Sequence, residues 1–445
     1  MIGIGGISMS GIAEILTNWG FEVSGSDRSD SEILHILNNA HIKTFIGHDA
    51  KNIEGTDCVV YTAAISLDNP ELVHAKELGI PVIERSDFLG ELTRCYQNTI
   101  AVSGTHGKTT TTSLVSLCFL EALKDPSIQV GAIIKDLDGN YRVGNSENFI
   151  IEACEYVESF LKFSPKSEII LNIDNDHLDY YKNIENVKNA FIKYVQLLPE
   201  DGHLIINADD TNCLDLPIYS KAPTIKYGIE NEDVDFSVKN LVFDENGLPE
   251  FDCYKYNEFF AHFKLSIPGR HNVLNALSCI ALCDTYGISV DCMKSALEKF
   301  TGADRRFQFK GIVNGAKVYD DYGHHPTEVS ATAKALNNKK FNKSWVVFQP
   351  HTYSRTFNLL SDFAQALLSF DNIIVTDIYA ARETNTYNIS AEDLVDSIKK
   401  LGKDAIYISS LENCATYLKE HVKKDDIVLT LGAGTVTSIG PMIVD

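Results

Sequence analysis

Glycine, lysine and threonine stand together in the run Gly104-Thr105-His106-Gly107-Lys108-Thr109-Thr110, after the apolar stretch Ile100-Ala101-Val102 and before a pattern that predicts an amphipathic helix through Ala122. A triphosphate needs that order. Glycines let backbone N–H groups approach an anion, and a helix N-terminus adds partial positive charge. Lys108 is placed to reach terminal phosphates, and the Thr109 hydroxyl to contact Mg²⁺. The spacing departs from the usual phosphate loop, because Val102 stands where the first glycine would be. Thr109 to Thr112 are weak helix formers but suit capping and phosphate contact. Cleavage of ATP is the chemistry this predicts.

A second glycine-rich run, GIGGISMSG at 3–11, fits a diphosphate resting on a helix N-terminus and reads equally well as a dinucleotide site. Glu152 sits in a segment that reads as a strand end facing the phosphate loop, where a carboxylate can complete the Mg²⁺ shell that Thr109 begins; a surface glutamate is the alternative. His177 follows two aspartates, and alone it reads as well as a core or surface histidine. His271, Asn272 and Asn275 lie within about one turn of a helix start, where amides suit the edge of adenine or plain N-capping. Tyr322, His324 and His325 form a cluster too dense in polar rings for core packing.

The loop resembles the variant phosphate loop of the Mur ligases and folylpolyglutamate synthetases, enzymes that form amide bonds through an acyl phosphate. IEACEYVESF (151–160), LNIDNDHLDYY (171–181), GRHNVLNA (269–276), DRRF (304–307), DDYGHHPTE (320–328) and QPHTYSRT (349–356) follow in order. Together they resemble the alanine-adding branch of the Mur ligase family over essentially the whole chain. That resemblance implies ATP and Mg²⁺ as cofactors, and UDP-N-acetylmuramic acid and L-alanine as substrates of a ligase in peptidoglycan precursor synthesis. It implies catalytic parts for Lys108, His177 and Arg306. ATP is expected on Gly104, Thr105, His106, Gly107, Lys108, Thr109 and Thr110, with His271, Asn272 and Asn275 at the adenine and Asp321 at the ribose. Thr109, Glu152 and His177 are the expected metal residues. Gly3, Gly5, Gly6, Ser8 and Asp27 would receive the UDP-sugar, Asp27 at the uridine end. Tyr322, His324, His351 and Arg355 would seat alanine, its carboxylate on the Arg355 guanidinium. Arg305 reads as a surface or interdomain residue. The chain departs from the family's pattern at Ser8, where glycine is frequent, at Thr352, where many relatives have a second arginine, and at Thr435, where an acidic residue is common.

These residues must be carried by alternating strands and helices. Over the first ninety-odd residues, helices are predicted at Ser10–Trp19, Ile33–Leu37 and Glu71–Leu78, with strands at Phe21–Gly25, Asp57–Thr62 and Ile80–Glu84. The rhythm restarts at Thr99 and continues through the strand Ile169–Ile173, a helix near Val187–Leu197 and the strand Leu204–Asn207. Short strands and turns fill 222–265 before a helix that begins near His271. From Lys310 strands are expected at Lys317–Tyr319, Trp345–Gln349, Ile373–Thr376, Ala405–Ile408 and Ile427–Leu431, with helices such as Ser361–Leu368 and Ala391–Leu401 between them. The predicted fold is α/β in three domains: Rossmann-like over 1–97, P-loop ATPase-like over 98–309, and Rossmann-like over 310–445.

Composition narrows the partners. A formal charge of −22 repels a phosphate backbone and no basic stripe offsets it, so a nucleic-acid partner is excluded and phosphates are expected in pockets. No apolar run is long enough to span a bilayer and no secretory leader is visible, which predicts a cytoplasmic chain without a membrane partner. A monomer or weak homodimer is expected. The ten cysteines include no CxxC pair and read as reduced core thiols. The rival readings are a sister ligase that adds a preformed peptide to the same sugar nucleotide, and a P-loop nucleotide switch.

Overall fold

The computed structural model describes residues 1–137, 139–381 and 383–444. By its contacts the chain divides into two compact units, one of Met1–Ile173, Lys188–Tyr227 and Ser278–Ala296, the other of Asp174–Val187, Gly228–Leu277 and Leu297–Asp445. This grouping cuts across the stretch 98–309 that reads as one domain in the sequence.

The first unit opens with a small parallel sheet. Ser24–Asp27 pairs with Lys43–Ile46, Val59–Tyr61 pairs with Val82–Glu84, and Ile2 bridges Ser26 and Tyr61 in parallel. One face buries Ile4, Ala13, Leu34, Leu37 and Ile42, the other Ile2, Ile53, Val59, Leu72 and Ala75. Helices Ile7–Asn18, Glu32–Asn39, Pro70–Glu77 and Arg85–Arg94 cover it. The strand expected at Phe21–Gly25 lies three residues later, since Phe21 is 60% exposed and the hydrogen-bonded backbone is that of small residues beginning at Ser24. The strand Lys43–Ile46 and the helix Arg85–Arg94 escaped sequence reading because neither shows a clean apolar period.

The larger sheet of this unit runs Thr224–Gly228, His203–Asn207, Ser167–Ile170, Asn98–Ser103, Asn148–Glu152, Ser127–Ile134 and Gly139–Arg142. All pairings are parallel except the last. Parallel strands covered on both faces read as unbroken apolar runs, as Ile100-Ala101-Val102 does. Neighbours lie on both sides of Asn98–Ser103, so the chain leaves its carboxyl end where such sheets receive ligands. The following helix, Lys108–Glu121, is not amphipathic as expected: Thr111 through Phe119 are all buried. Thr112, Ser113 and Ser116 each donate to the carbonyl four residues back, at 2.8, 2.7 and 2.7 Å, whereas the buried Thr111 hydroxyl has no partner among the described residues.

In the second unit, Phe236–Phe243, Pro249–Lys255 and Glu258–Lys264 form an antiparallel meander. The C-terminal sheet has the order Gln308–Val313, Ala316–Asp321, Ile427–Leu431, Ser344–Phe348, Asn372–Val375, Ala405–Tyr407, parallel except for its first pair. Val346, Phe348 and Leu429 point to one core with Phe363 and Leu394, whereas Trp345, Val347 and Val428 point to another with Cys414 and Ile439. Both faces are thus covered, as in a doubly wound sheet. The unpredicted edge strand Gln308–Val313 reaches its partner through Asn314-Gly315, both at positive φ (50° and 82°), the backbone of a type I′ hairpin turn.

Candidate active site

The phosphate loop leaves a buried strand and enters a buried helix, and Asn172 braces it. The Asn172 carbonyl accepts from Thr105 N at 3.0 Å, its Oδ1 accepts from His106 N at 2.8 Å, and its Nδ2 donates to the His106 carbonyl at 2.9 Å. Gly104, at φ 135°, passes so close to Leu171 and Asn172 that a Cβ there would lie 2.9 Å from Leu171 Cβ. Lys108 Nζ donates to the Gly104 and Thr105 carbonyls at 2.6 and 3.1 Å and pairs with Glu155 at 2.9 Å. Burial pulls the ammonium toward its neutral form, but Glu155, with Cys154 and Glu152 behind it, outweighs that and leaves Lys108 above its ordinary value. Thr109 Oγ1 donates to Glu152 Oε2 at 2.9 Å, and Gly131 N donates to the same oxygen. Thr109 and Thr112 therefore serve Glu152 and the helix backbone, and the helix N-cap is Gly107 without a side-chain cap. Thr110 is partly exposed beside them.

The first glycine loop is shaped by Asp27, whose carboxylate accepts from Gly5 N at 3.0 Å. Gly3 N donates to the Ser26 carbonyl at 2.8 Å, and Gly6 is the N-cap of Ile7–Asn18. Ser8 Oγ accepts from Gln129 Nε2 at 2.6 Å and from Arg85 Nη1 at 3.1 Å, so the serine replaces a frequent glycine with a hydrogen-bonded contact inside the first unit.

The second unit gathers the histidines. Arg355 donates from Nε and Nη2 to Asp176 Oδ1 at 3.1 and 2.8 Å, and from Nη1 to His351 Nδ1 at 3.1 Å. These contacts leave further guanidinium N–H groups, but one edge already faces a carboxylate of the chain. Burial pushes Asp176 up, while the Arg355 guanidinium pulls it well below the usual carboxylate range. His177, at φ 54°, caps the short helix Leu178–Tyr181, and its N donates to Asp176 Oδ1 at 2.7 Å. His324 Nδ1 donates to the Tyr322 carbonyl at 3.0 Å, which leaves Nε2 as an acceptor. Its ring meets Tyr322 and His351 edge-on with centroids 5.3 and 5.5 Å apart. Burial lowers His324 to about 3, and burial followed by Arg355 lowers His351 to about 4. Both are neutral rings. His325 Nε2 donates to the Asn175 carbonyl at 3.2 Å and its Nδ1 caps Pro326–Asn337. Thr352, at φ 66°, caps the helix Tyr353–Asn358.

Glu328 ties this cluster to the arginines: its Oε2 accepts from His324 N at 2.9 Å, and its Oε1 lies 3.6 Å from Arg306. Arg305 and Arg306 both lie over the Tyr322 ring, at 4.8 and 5.2 Å. Arg305 is no surface residue, since it donates to the carbonyls of Gly432 and Gly434 and pairs with buried Asp320. Both Asp321 oxygens accept backbone N–H groups, from Phe307 and Gly323, each at 2.8 Å. Burial raises Asp321 to about 6 against Arg306. Thr435 accepts from Gln349 at 3.2 Å. At the start of Arg270–Thr285, His271 is exposed, whereas Asn272 donates to the Pro268 carbonyl at 2.7 Å and Asn275 to Asn272 Oδ1 at 3.0 Å.

Sequence reasoning passed over Glu155, Asn172, Asp176 and Glu328. A second acid three residues after Glu152 was the signal for Glu155; the partners of the others follow only from folding. The structure groups Lys108, Thr109 and Glu152 in one unit, and His177, Arg306, Tyr322, His324, His351 and Arg355 in the other.

Three sequence models match the chain: the Mur ligase family catalytic domain over residues 1–97, the Mur ligase middle domain over 102–283 and the Mur ligase glutamate ligase domain over 305–434. The chain is 47% identical to the UDP-N-acetylmuramate–L-alanine ligase of Acetivibrio thermocellus, covering 99% of this chain and 94% of that one. It is 47% identical to the protein of the same name from Clostridium novyi, covering 100% and 96%. Its fold is similar to that of the UDP-N-acetylmuramate-alanine ligase of Thermotoga maritima, with a TM-score of 0.82, 30% identity and coverage of 99% and 97%. A murein peptide ligase from Psychrobacter arcticus shares the fold at a TM-score of 0.73 and 22% identity, covering 99% and 97%.

Proposed function

The chain belongs to the Mur ligase family, and from that premise we propose that it joins L-alanine to the lactyl carboxylate of UDP-N-acetylmuramic acid, with cleavage of ATP to ADP and phosphate. The observation that carries this is the near-full-length likeness to alanine ligases at 47% identity. The reaction belongs to peptidoglycan precursor synthesis, and we assign it to the cytoplasm and to a monomer or weak homodimer. No helix among the described residues is long and apolar enough to cross a membrane. The three domains are taken as 1–97 for the UDP-sugar, 98–309 for ATP and 310–445 for the amino acid.

In this reading the lactyl carboxylate attacks the γ-phosphorus of ATP and ADP leaves. The amine of alanine then attacks the acyl carbon, and the tetrahedral adduct collapses to amide and phosphate. No nucleophilic side chain is needed, so catalysis rests on alignment and charge neutralisation. Lys108 exchanges part of its contact with Glu155 and the loop carbonyls for the terminal phosphates, and Arg306 neutralises phosphate charge. The Thr109 hydroxyl and Glu152 carboxylate are hard oxygen donors brought within 2.9 Å, the donor type Mg²⁺ takes. They would hold that ion, which supplies further charge neutralisation when bound. His177 offers nitrogen, so we assign it an orienting part near the metal and the substrate carboxylate. Neutral His324 accepts from the alanine amine through Nε2, while Tyr322, His351 and the remaining Arg355 donors seat the amino acid. His271, Asn272, Asn275 and Asp321 are assigned to the adenosine, and Gly3, Gly5, Gly6, Ser8 and Asp27 to the UDP moiety.

The test is transfer of labelled alanine to UDP-N-acetylmuramic acid with ATP and Mg²⁺, beside a parallel reaction offering the preformed tripeptide. Alanine is expected to be incorporated with release of one ADP per amide. Incorporation of tripeptide alone would move the chain to the sister ligases, and ATP hydrolysis indifferent to the UDP-sugar would make it a nucleotide switch.

A further inference from the structure

Apart from the nucleotide and histidine sites, three thiols converge in the first unit. Cys118 lies on the phosphate-loop helix Lys108–Glu121, and Cys279 and Cys283 lie one turn apart on Arg270–Thr285. All three are wholly buried. Cys118 Sγ is 3.7 Å from Cys279 Sγ, which is 3.8 Å from Cys283 Sγ, and the three sulfurs lie within 4.8 Å of one another. The spacing along the chain conceals this, since 161 residues separate Cys118 from Cys279.

Sulfur donors select soft, thiophilic centres over hard ions. Charge then decides the valence. Three thiolates around a monovalent or divalent ion leave a net negative complex, and an uncompensated buried charge is costly. Val115, Phe119, Ile280 and Leu282 along the two helices are apolar and wholly buried, and the buried polar neighbours Ser116 and Ser278 are uncharged. The charged side chain that acts on Cys118 is Glu121, an anion, which makes an anionic complex less favourable still. A trivalent centre with three thiolates is neutral.

We propose that Cys118, Cys279 and Cys283 form a three-coordinate site for a soft trivalent metalloid, for which arsenic(III) is the probe. Arsenous acid exchanges its three hydroxyls for the three sulfurs. Three As–S bonds replace three As–O bonds, each thiol proton leaves with a hydroxyl as water, and no atom changes oxidation state. Entry requires local opening of the core, so binding is slow. Once bound, the centre cross-links the phosphate-loop helix to its neighbour.

The full-length reduced chain is incubated with arsenite and freed of excess by gel filtration. The expected result is one arsenic per chain, an intact mass raised by one arsenic less three protons, and a higher Tm. Cys118→Ala and Cys283→Ala are expected to lose the adduct. Cys58→Ser and Cys95→Ser, which alter exposed thiols, are expected to keep it. Should Cys118→Ala not fold, alkylation of the wild-type adduct decides, with the peptides carrying Cys118, Cys279 and Cys283 expected to be the protected ones. Absence of the adduct after incubation long enough for core amides to exchange, a mass showing only two protons displaced, or uptake undiminished in Cys118→Ala would each overturn the proposal.

Discussion

Lys108 carries a charge that the fold already answers, through Glu155 and the carbonyls of Gly104 and Thr105. Its removal deletes the cation proposed to meet the phosphates and the bonds it gives to the loop and to Glu155. Lys108→Ala is therefore expected to lower kcat by about 10²–10³, the size of a lost electrostatic stabiliser, and also to lower Tm, because buried Glu155 loses its salt-bridge partner; a folded variant keeping a tenth of the rate would refute the assignment. Glu168 is a different kind of residue. It is wholly buried, both carboxylate oxygens lack a hydrogen-bond partner among the described residues, and burial pushes it well above the ordinary 4.5. The folded chain then holds a proton that the unfolded chain releases, so the stability it contributes is present at low pH and is lost as pH rises toward the folded value. Relative to Glu168→Gln, wild-type stability is expected to fall by about 1.4 kcal/mol per pH unit above the ordinary carboxylate range. Denaturant melts at pH 5, 6 and 7 check this, and parallel curves for the two proteins would show that Glu168 is ionised in the fold.

At the scale of elements, the phosphate loop is braced from outside by Asn172, which follows the neighbouring strand Ser167–Ile170. Asn172→Ala removes two hydrogen bonds to the His106 backbone, each worth about 0.5–1.5 kcal/mol. The variant is expected to raise KM for ATP more than it lowers kcat, and unchanged KM would show that the loop keeps its shape unaided. The strand, loop and helix themselves were legible, because an apolar run, glycines and the lysine-threonine pair stand in the order a phosphate requires. Asn172 was not, since sequence patterns report the partners of a residue only within its own element. The Asn314-Gly315 hairpin was visible as an Asn-Gly dipeptide and went unread because Gln308–Val313 has little apolar alternation to announce a strand.

Over the whole molecule, the net charge of −22 is distributed on a fold whose cores are apolar, so its repulsion acts on the compact state. Raising NaCl from about 10 mM to 150 mM shortens the screening length from about 30 Å to 8 Å, and Tm is expected to rise by about 2–4 °C for each kcal/mol of repulsion relieved; a calorimetric scan with flat or falling Tm would show that the charges are already paired. The fold class, the phosphate loop and the alanine-ligase motifs were all readable from residue order, because each depends on local backbone demands or on a run of neighbouring residues. Other features depended on distant segments meeting. Arg355 faces Asp176 across 179 positions, Arg305 reaches Gly432 across 127, and Cys118 meets Cys279 across 161. Hydrogen bonds and sulfur contacts act over a few ångströms, and which distant residues come within that range is set by how strands order in a sheet and helices pack on it.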